Sequence, residues 1–420
     1  MHLGTTDPIH CGCARDSTGD LMPVDEALNR AIGAAGRITA AESVPLVEAT
    51  GRILAAPVSA SRPMPPFDAS AMDGYALRSA ALAGDGPWEI PVAGRVRAGD
   101  PPGPLPAGAA LRILTGAPLP LGADAVVPQE QVGARGAGLR LRFRPRPGAH
   151  VRRAGSDLAE GVELLPAGRL IGPREVGALA AAGLRRVEVR RRLEVALLRT
   201  GSELTPPGAP LDPGRIWDSN GATLLSLLSL PWIRLQDRGT VPDDPAELRR
   251  ALAAAAEGAD LVVTTGGVSV GDEDHLPRAV TEAGGRILVN SVAMKPGKPL
   301  TFGQIGRASW IGLPGNPVAA FVGWTVVGAR IAEAMAGLAG TGPRKAIVRS
   351  AAPAAHRPGR CEFRLARLVG YDAHGVQVAE LLPGETSYRV ALLARADGLA
   401  LIPAEAGAVP EGTLLEFLPF

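Results

Sequence analysis

Lys295-Pro-Gly-Lys298-Pro299 sets two ammonium groups on a loop whose prolines limit its freedom, between the apolar runs Val292-Ala-Met294 and Leu300-Thr-Phe302. Fixed cations at that spacing suit a dianion, and the apolar flanks weaken the alternative of two solvated surface lysines. Upstream, Asp260-Leu-Val-Val-Thr-Thr265 enters Gly266-Gly-Val-Ser-Val-Gly271. Glycines there permit backbone conformations closed to other residues and let successive N–H groups curl around phosphate oxygens. Asp272 and Asp274 follow and would repel a bare phosphate, so a phosphate at this loop requires a divalent cation between them. Helix N-capping by Asp, with the glycines only turning the chain, is the alternative. Pro314-Gly-Asn-Pro-Val318 feeds into Ala319-Ala-Phe-Val322, which places free N–H groups at a helix N-terminus, where an oxyanion is favoured.

The elements that must position these loops alternate as strand, Gly loop, helix, strand, Lys loop, strand, Gly/Pro loop and helix over residues 258–324. Three such loops, each next to the end of a short apolar strand, are what a parallel α/β sheet offers an anion at its carboxyl edge. The preceding chain has the same character. A buried-type strand over 194–198 ends in the loop Thr200-Gly-Ser-Glu203, and Trp217-Asp-Ser-Asn220 leads into an apolar helix reaching Leu230. A strand over 233–235 and Val241-Pro-Asp-Asp-Pro245 then precede a helix over 246–257, so residues 191–340 read as a doubly wound α/β domain.

Residues 1–20 lack periodicity and read as a disordered tail. A helix is expected from Met22-Pro-Val-Asp25, capped by Asp25, with Ala27, Leu28, Ala31 and Ile32 at helical spacing, followed by a strand over 44–47. In Arg62-Pro-Met-Pro-Pro-Phe-Asp-Ala-Ser-Ala-Met-Asp-Gly-Tyr-Ala76 the prolines hold an extended entry to Asp68, Ser70 and Asp73. Such carboxylates suit Mg²⁺ or the polar groups of a sugar or pterin; a turn capped by its own Asp side chains is the other reading. Short apolar runs between Gly/Pro turns make 51–150 an inserted β domain, with Thr115 of Arg112-Ile-Leu-Thr-Gly-Ala-Pro118 just past a strand. Arg152-Arg-Ala-Gly-Ser-Asp157 opens the return to an elongated helical and β linking domain, formed by 21–50 and 151–190, with a helix over 173–182 that starts at Pro173 and stops at Gly183. The Arg pair can meet a phosphate or form a surface ion pair. Strands over 346–349, 362–368, 376–380, 399–402 and 414–418 predict a C-terminal β-barrel over 341–420. The whole is α/β plus β and multidomain.

The 420 residues exceed one ordinary core, and 44 Lys plus Arg against 42 Asp plus Glu leave no field that argues for nucleic acid or a membrane surface. Any anion site must be local. No run approaches a membrane span, Met1-His-Leu-Gly-Thr-Thr-Asp7 is unlike a signal peptide, and three cysteines give no disulfide framework, which together read as cytoplasmic. His10-Cys11-Gly-Cys13 lacks a second ligand pair at zinc spacing.

Together the motifs resemble the MoeA-type molybdopterin molybdenumtransferase family, relatives of the gephyrin E domain, from about Leu21 onward. The Phe67-Asp-Ala-Ser-Ala-Met-Asp-Gly-Tyr75 and Lys295-Pro-Gly-Lys-Pro299 runs are the distinctive pieces, because Gly266-Gly-Val-Ser269 is equally similar to adenylylating MogA-like proteins. The resemblance implies a MogA-like α/β domain and a homodimer whose cleft lies between that domain of one subunit and the first β domain of the other. It implies that molybdate is inserted into adenylylated molybdopterin with Mg²⁺-assisted release of AMP. Matched by position, it implies Asp73, Thr115, Asp157, Glu203, Asp243, Asp274, Lys295 and Lys298 as catalytic candidates. Asp243 and Asp274 fall on the Mg²⁺ and adenylate side, Lys298 with Pro299 on the molybdate side, and Asp73 and Thr115 reach in from the partner. Substrate contacts are implied at Ser70, Asp218, Gly266, Gly267, Ser269, Gly271, Pro314, Gly315, Asn316, Pro317, Arg360 and Ser387. A MogA-type adenylyltransferase and molybdoenzyme maturation factors are the implied partners.

The chain departs from the family pattern at Ala319, where Ser is usual; at Ser291, often Lys; at His275, often Tyr; and at Arg360-Cys-Glu-Phe-Arg-Leu365, where the usual second Arg is Leu365 and Arg364 stands beside it. Tungstate is as good a tetrahedral dianion as molybdate. Two other functions stay open at this point: a nucleotidyltransferase that adenylylates molybdopterin from ATP, and a carrier that binds the pterin without chemistry.

Overall fold

In the computed structural model of the chain, residues 21–135, 138–267, 275–340, 345–384 and 387–420 are described. The run Leu193-Glu-Val-Ala-Leu-Leu-Arg-Thr200 forms a strand one from the edge of a six-stranded sheet. Its residues do not alternate apolar and polar because both faces are covered: Val195 and Leu197 enter one core, Ala196 and Leu198 the other. The sheet order is Ile233–Val241, Leu193–Thr200, Leu261–Thr265, Ala308–Leu313, Thr301–Ile305, Arg286–Asn290. The helices Ser219–Leu228 and Pro317–Ala336 pack on the first core, and Pro245–Ala256 and Leu276–Glu282 on the second, which gives the doubly wound α/β domain.

The sheet is mixed rather than parallel. Thr301–Ile305 runs antiparallel to both of its neighbours and joins Ala308–Leu313 through the two-residue turn Gly306-Arg307, with Gly306 at φ 58°. The sequence reading treats Leu300-Thr-Phe302 as an apolar flank and misses this strand. The reversal keeps the site intact, since the Lys loop leaves the carboxyl end of Arg286–Asn290 and enters a strand that descends from the same edge. All three loops therefore emerge on one side of the sheet.

Pro317–Ala336 is long and apolar enough by length and composition to cross a membrane, but 72% of its apolar window is buried inside the protein. It is a core helix. Helix Val24–Ala34 covers the same sheet face with Val24, Leu28 and Ala31; Pro23 precedes it, and Asp25 lies inside the first turn rather than capping it. The C-terminal strands Ala346–Ser350, Cys361–Tyr371, Gln377–Leu381, Gly398–Ile402 and Leu414–Pro419 pair in a ring that closes through Cys361–Tyr371 and Gly398–Ile402, making a five-strand barrel. Phe363, Leu365, Leu401 and Leu418 of this barrel belong to the same core as Val195, Ile311 and Trp324 of the α/β domain. Met294–Lys295 adds as a short parallel strand to Cys361–Glu362.

In the linking domain Ala41–Pro45 pairs with Arg186–Arg190, and Pro173–Ala181 is the expected helix, with the Glu175 carboxylate accepting the Gly172 N–H. Ile53 and Leu54 bridge to Leu170 and Val189, and Val58–Ser59 pairs with Glu163–Leu165, so this segment, read from sequence as the start of the inserted domain, pairs with the linking domain. The inserted sheet is ordered Ala125–Pro128, Gly74–Leu77, Ala110–Ile113, Trp88–Val96, Gly138–Leu141, Gly133–Arg135. Gly74 must be glycine because a Cβ would sit 2.1 Å from the Val127 carbonyl oxygen. The His10, Cys11 and Cys13 tail lies outside the described residues.

Phe363 is 1% exposed at the junction of barrel and α/β domain. Phe363→Ala is expected to cost about 3–5 kcal/mol, read in a urea titration as a lower midpoint. Because the core is shared, the barrel and the α/β domain should still unfold in one transition.

Candidate active site

The strand order reverses between Leu193–Thr200 and Leu261–Thr265, and a cavity of about 850 Å³ opens at their carboxyl ends. Its floor is Thr200, Thr265, Gly266 and Gly267. Gly266 has φ 100°, and an added Cβ would lie 2.5 Å from the Thr200 carbonyl oxygen, so the loop fits only without a side chain there. Glu203 and Asp243 line one flank and Gly315 and Pro317 the other. The Ser202 N–H donates to Asp243 Oδ2 at 2.9 Å, which ties the loop after one strand to the loop after its neighbour.

Asp218 also lines this cavity, but its carboxylate is engaged: Oδ1 accepts the Gly221 N–H at 2.7 Å as a helix cap, and Oδ2 is 3.2 Å from Arg199 Nε. Expected as a substrate contact, Asp218 lies at the cavity and also anchors its loop. The group that works at the site from this segment is Asn220, which the sequence reading passes over. Its Nδ2 donates to Thr265 Oγ1 at 3.0 Å and to the Gly315 carbonyl at 2.7 Å, while Thr265 Oγ1 donates to the Pro314 carbonyl. The Gly and Pro loops are thus held together through one amide.

A second cavity, of about 370 Å³, shares Pro299, Pro314, Asn316 and Tyr388 with the first. Lys295, Lys298 and Arg360 line it, with Ala319 and Ser387. Lys298 is exposed and has no ion-pair partner among the described residues. Lys295 Nζ is 3.6 Å from Glu362 Oε2. Glu362 is 1% exposed; Oε2 also meets His356 Nδ1 at 2.9 Å, and Oε1 accepts from Arg364 Nε at 2.8 Å. The parallel pairing of Met294–Lys295 with Cys361–Glu362 makes this network, and no one-dimensional pattern announces it.

The remaining expected residues lie elsewhere. In the inserted domain Asp73 accepts the Thr115 N–H at 2.7 Å and its hydroxyl at 3.1 Å, a pair set by the register of Gly74 opposite Ile113. The Thr115 N–H, then its hydroxyl, hold the Asp73 carboxyl below the ordinary 3.8. That link is present near neutral pH and is lost as pH falls below the ordinary value and through the lowered one. Ser70 is fully buried and its hydroxyl donates to the Met72 carbonyl at 2.6 Å, so it braces the loop and is not open to a substrate within this chain. Asp157 is exposed on the linking domain, where Arg153 pairs with Asp68 at 2.5 Å as the surface ion pair. Ser269, Gly271, Asp272 and Asp274 lie outside the described residues. Among the described residues no three His, Cys, Asp or Glu side chains converge as a metal-ligand set. Glu203 and Asp243 supply the cavity with carboxylate oxygens, the donor type Mg²⁺ takes.

Residues 22–183 match the MoeA N-terminal region (domain I and II), 196–333 a probable molybdopterin binding domain, and 348–420 the MoeA C-terminal region (domain IV). The chain is 40% identical over 304 residues to a molybdopterin molybdenumtransferase of Haemophilus influenzae, covering 72% of this chain and 74% of that one. It is 36% identical over 384 residues to molybdopterin molybdenumtransferase 2 of Mycobacterium tuberculosis, covering 89% and 94%. A crystal structure of the molybdopterin biosynthesis MoeA protein of Pyrococcus horikoshii OT3 superposes with a TM-score of 0.81 at 26% identity, covering 96% and 100%.

Removing the Glu362 charge leaves Arg364 and Lys295 facing each other without their shared carboxylate. Glu362→Gln is expected to destabilise the fold by about 3 kcal/mol or more, measured by urea unfolding. Gly266→Ala, where both φ and the Thr200 carbonyl oppose a side chain, is expected to lower the melting temperature by several degrees, on the order of 1–3 kcal/mol.

Proposed function

The chain belongs to the MoeA family of molybdopterin molybdenumtransferases, enzymes of molybdenum cofactor biosynthesis, and from that premise we propose that it inserts molybdate into adenylylated molybdopterin and releases AMP. The observation that carries this reading is the adjacency of the two cavities. A carboxylate-flanked, glycine-floored space at the sheet switch point shares a wall with a lysine- and arginine-lined space. The first suits a nucleotide phosphate with a divalent cation, and the second suits a tetrahedral dianion.

In this reading Gly266, Gly267 and Gly315 let the backbone approach the phosphates closely, and Asp243 and Glu203 would hold Mg²⁺, with Asp274 assigned to it by motif position alone. Bound Mg²⁺ supplies positive charge to phosphate oxygens as the phosphoanhydride breaks. Lys295, Lys298 and Arg360 seat molybdate, and Pro299 and Pro314 fix it next to the adenylate side. A molybdate oxygen attacks the adenylate phosphorus and the pterin phosphate leaves. The P–O–Mo link so formed breaks at its Mo–O bond as the two dithiolene sulfurs take the metal, so AMP departs with that oxygen. Positioning carries most of the acceleration, with no covalent intermediate on the protein. Asp73 and Thr115, joined to each other away from both cavities, act from the partner of a homodimer, and the cytoplasm is the proposed location.

AMP release from adenylylated molybdopterin, followed by chromatography with Mg²⁺ and molybdate present, tests the reading. Lys298→Ala should raise the molybdate needed for half-maximal release by about tenfold or more, the loss of one charge-assisted contact. Asp243→Asn should raise the Mg²⁺ requirement by about tenfold. ATP consumption with no need for molybdate would mark an adenylylating enzyme instead.

A further inference from the structure

Arg364 stands beside the position where the family pattern carries its second Arg, and no role comes to it from the motif. In the folded chain it lines the cation-rich cavity and is only 8% exposed. Its guanidinium is used asymmetrically. Nε donates to Glu362 Oε1 at 2.8 Å; Nη2 lies 2.7 Å from the same oxygen and donates to the Ala355 carbonyl at 2.8 Å. Nη1 is the guanidinium nitrogen left without a protein acceptor among the described residues. Gly384 packs against the pair so closely that a Cβ there would sit 2.7 Å from Nη2, which pins the planar group in place.

We propose that Arg364 is an oxyanion-binding residue of this chain, donating from Nη1 to the tetrahedral dianion held beside Lys295, Lys298 and Arg360. The proposal rests on the molybdate reading of this cavity and adds a ligand to it. Three features carry it. Arg364 is deeper than Lys298, where a charge-assisted hydrogen bond is screened less. Its donor is fixed before the ligand arrives, so little side-chain freedom is lost on binding. Ala319 offers no hydroxyl to the same cavity, so the dianion has an oxygen to satisfy from elsewhere. Glu362 acts through Arg364 and Lys295 as the positioning residue: one buried carboxylate orients two cations without reaching the ligand.

The test is calorimetric titration of the full chain with sodium molybdate alone, paired with AMP-release kinetics in which molybdate and adenylylated molybdopterin are varied separately. Arg364→Gln is expected to weaken molybdate binding and raise its KM about tenfold or more, with kcat and the KM for adenylylated molybdopterin within about twofold of the parent. Sulfate and tungstate should lose affinity in parallel, since the contact reads charge and tetrahedral shape. Should Arg364→Gln fail to fold because Glu362 loses its partner, Arg364→Lys keeps that ion pair and lacks the second nitrogen; it is expected to melt like the parent and bind molybdate severalfold more weakly. A folded Arg364→Lys that binds molybdate like the parent, while Lys298→Ala does not, overturns the role of Arg364 and leaves the molybdate reading standing. A parent chain that neither binds molybdate nor needs it for AMP release removes both.

Discussion

The two-residue pairing of Met294–Lys295 with Cys361–Glu362 is the contact on which the cation-lined cavity depends. Without it the Lys loop would hang from the sheet edge and the barrel would have no fixed orientation to the α/β domain at that point. The backbone bonds are few, but the apolar residues behind them are not: Met294, Cys361 and Phe363 are all within 1% of full burial in a core shared with the sheet. Burial at roughly 25 cal/mol per Å² of apolar area makes such a seam far stronger than its short ladder alone. A loop with cis Lys295–Pro296 and a left-handed Gly297 is thereby held against a buried carboxylate.

The other cavity has a different origin, topological rather than interfacial. A chain that leaves Leu193–Thr200 for one neighbour and returns to the other must open a crevice between the two loops, and the residues there are those that tolerate crowding. Gly266 faces the Thr200 carbonyl, Gly315 approaches Gly266 to within 3.6 Å of a notional Cβ, and Asn220 ties the loops by its amide. Substrate-sized space is left over because the side chains are missing, not because the sheet is distorted.

How much of this is legible beforehand follows from the range of the forces involved. The α/β order, the five barrel strands and the Lys and Gly loops depend on local runs of residues, and they can be read in one dimension. Thr301–Ile305 escapes because Leu300-Thr-Phe302 is read only as a flank of the Lys loop, and a two-residue turn at Gly306 leaves two short strands where one is expected. Asp218, implied as a substrate contact by the resemblance, lines the cavity while Oδ1 caps a helix and Oδ2 meets Arg199, a local role that its motif position does not reveal. Ser70 likewise has a local role, its buried hydroxyl donating to the Met72 carbonyl. Arg364 and Glu362 face the same way as i, i+2 neighbours on one strand, but Lys295 joins them only when that strand meets a loop about seventy residues upstream, and sequence spacing holds no trace of that contact.

The two cavities also answer a question that a list of charged residues raises: why carboxylates and lysines placed so close do not neutralise one another. Opposite unit charges 4 Å apart attract by about 4 kcal/mol at an effective dielectric of 20, enough to collapse a flexible site into ion pairs. The dividing wall is built from Pro299, Pro314 and Asn316, which carry no charge, and from backbones too stiff to fold across it. On the acidic side Asp243 is tied to Ser202, and on the basic side Glu362 takes up Lys295 and Arg364 while Lys298 stays unpaired. Each set therefore keeps unspent charge for a ligand of the opposite sign. The proposed substrate, with a phosphoanhydride on one side and an oxydianion to receive on the other, is the kind of molecule for which both halves must be kept apart until it binds.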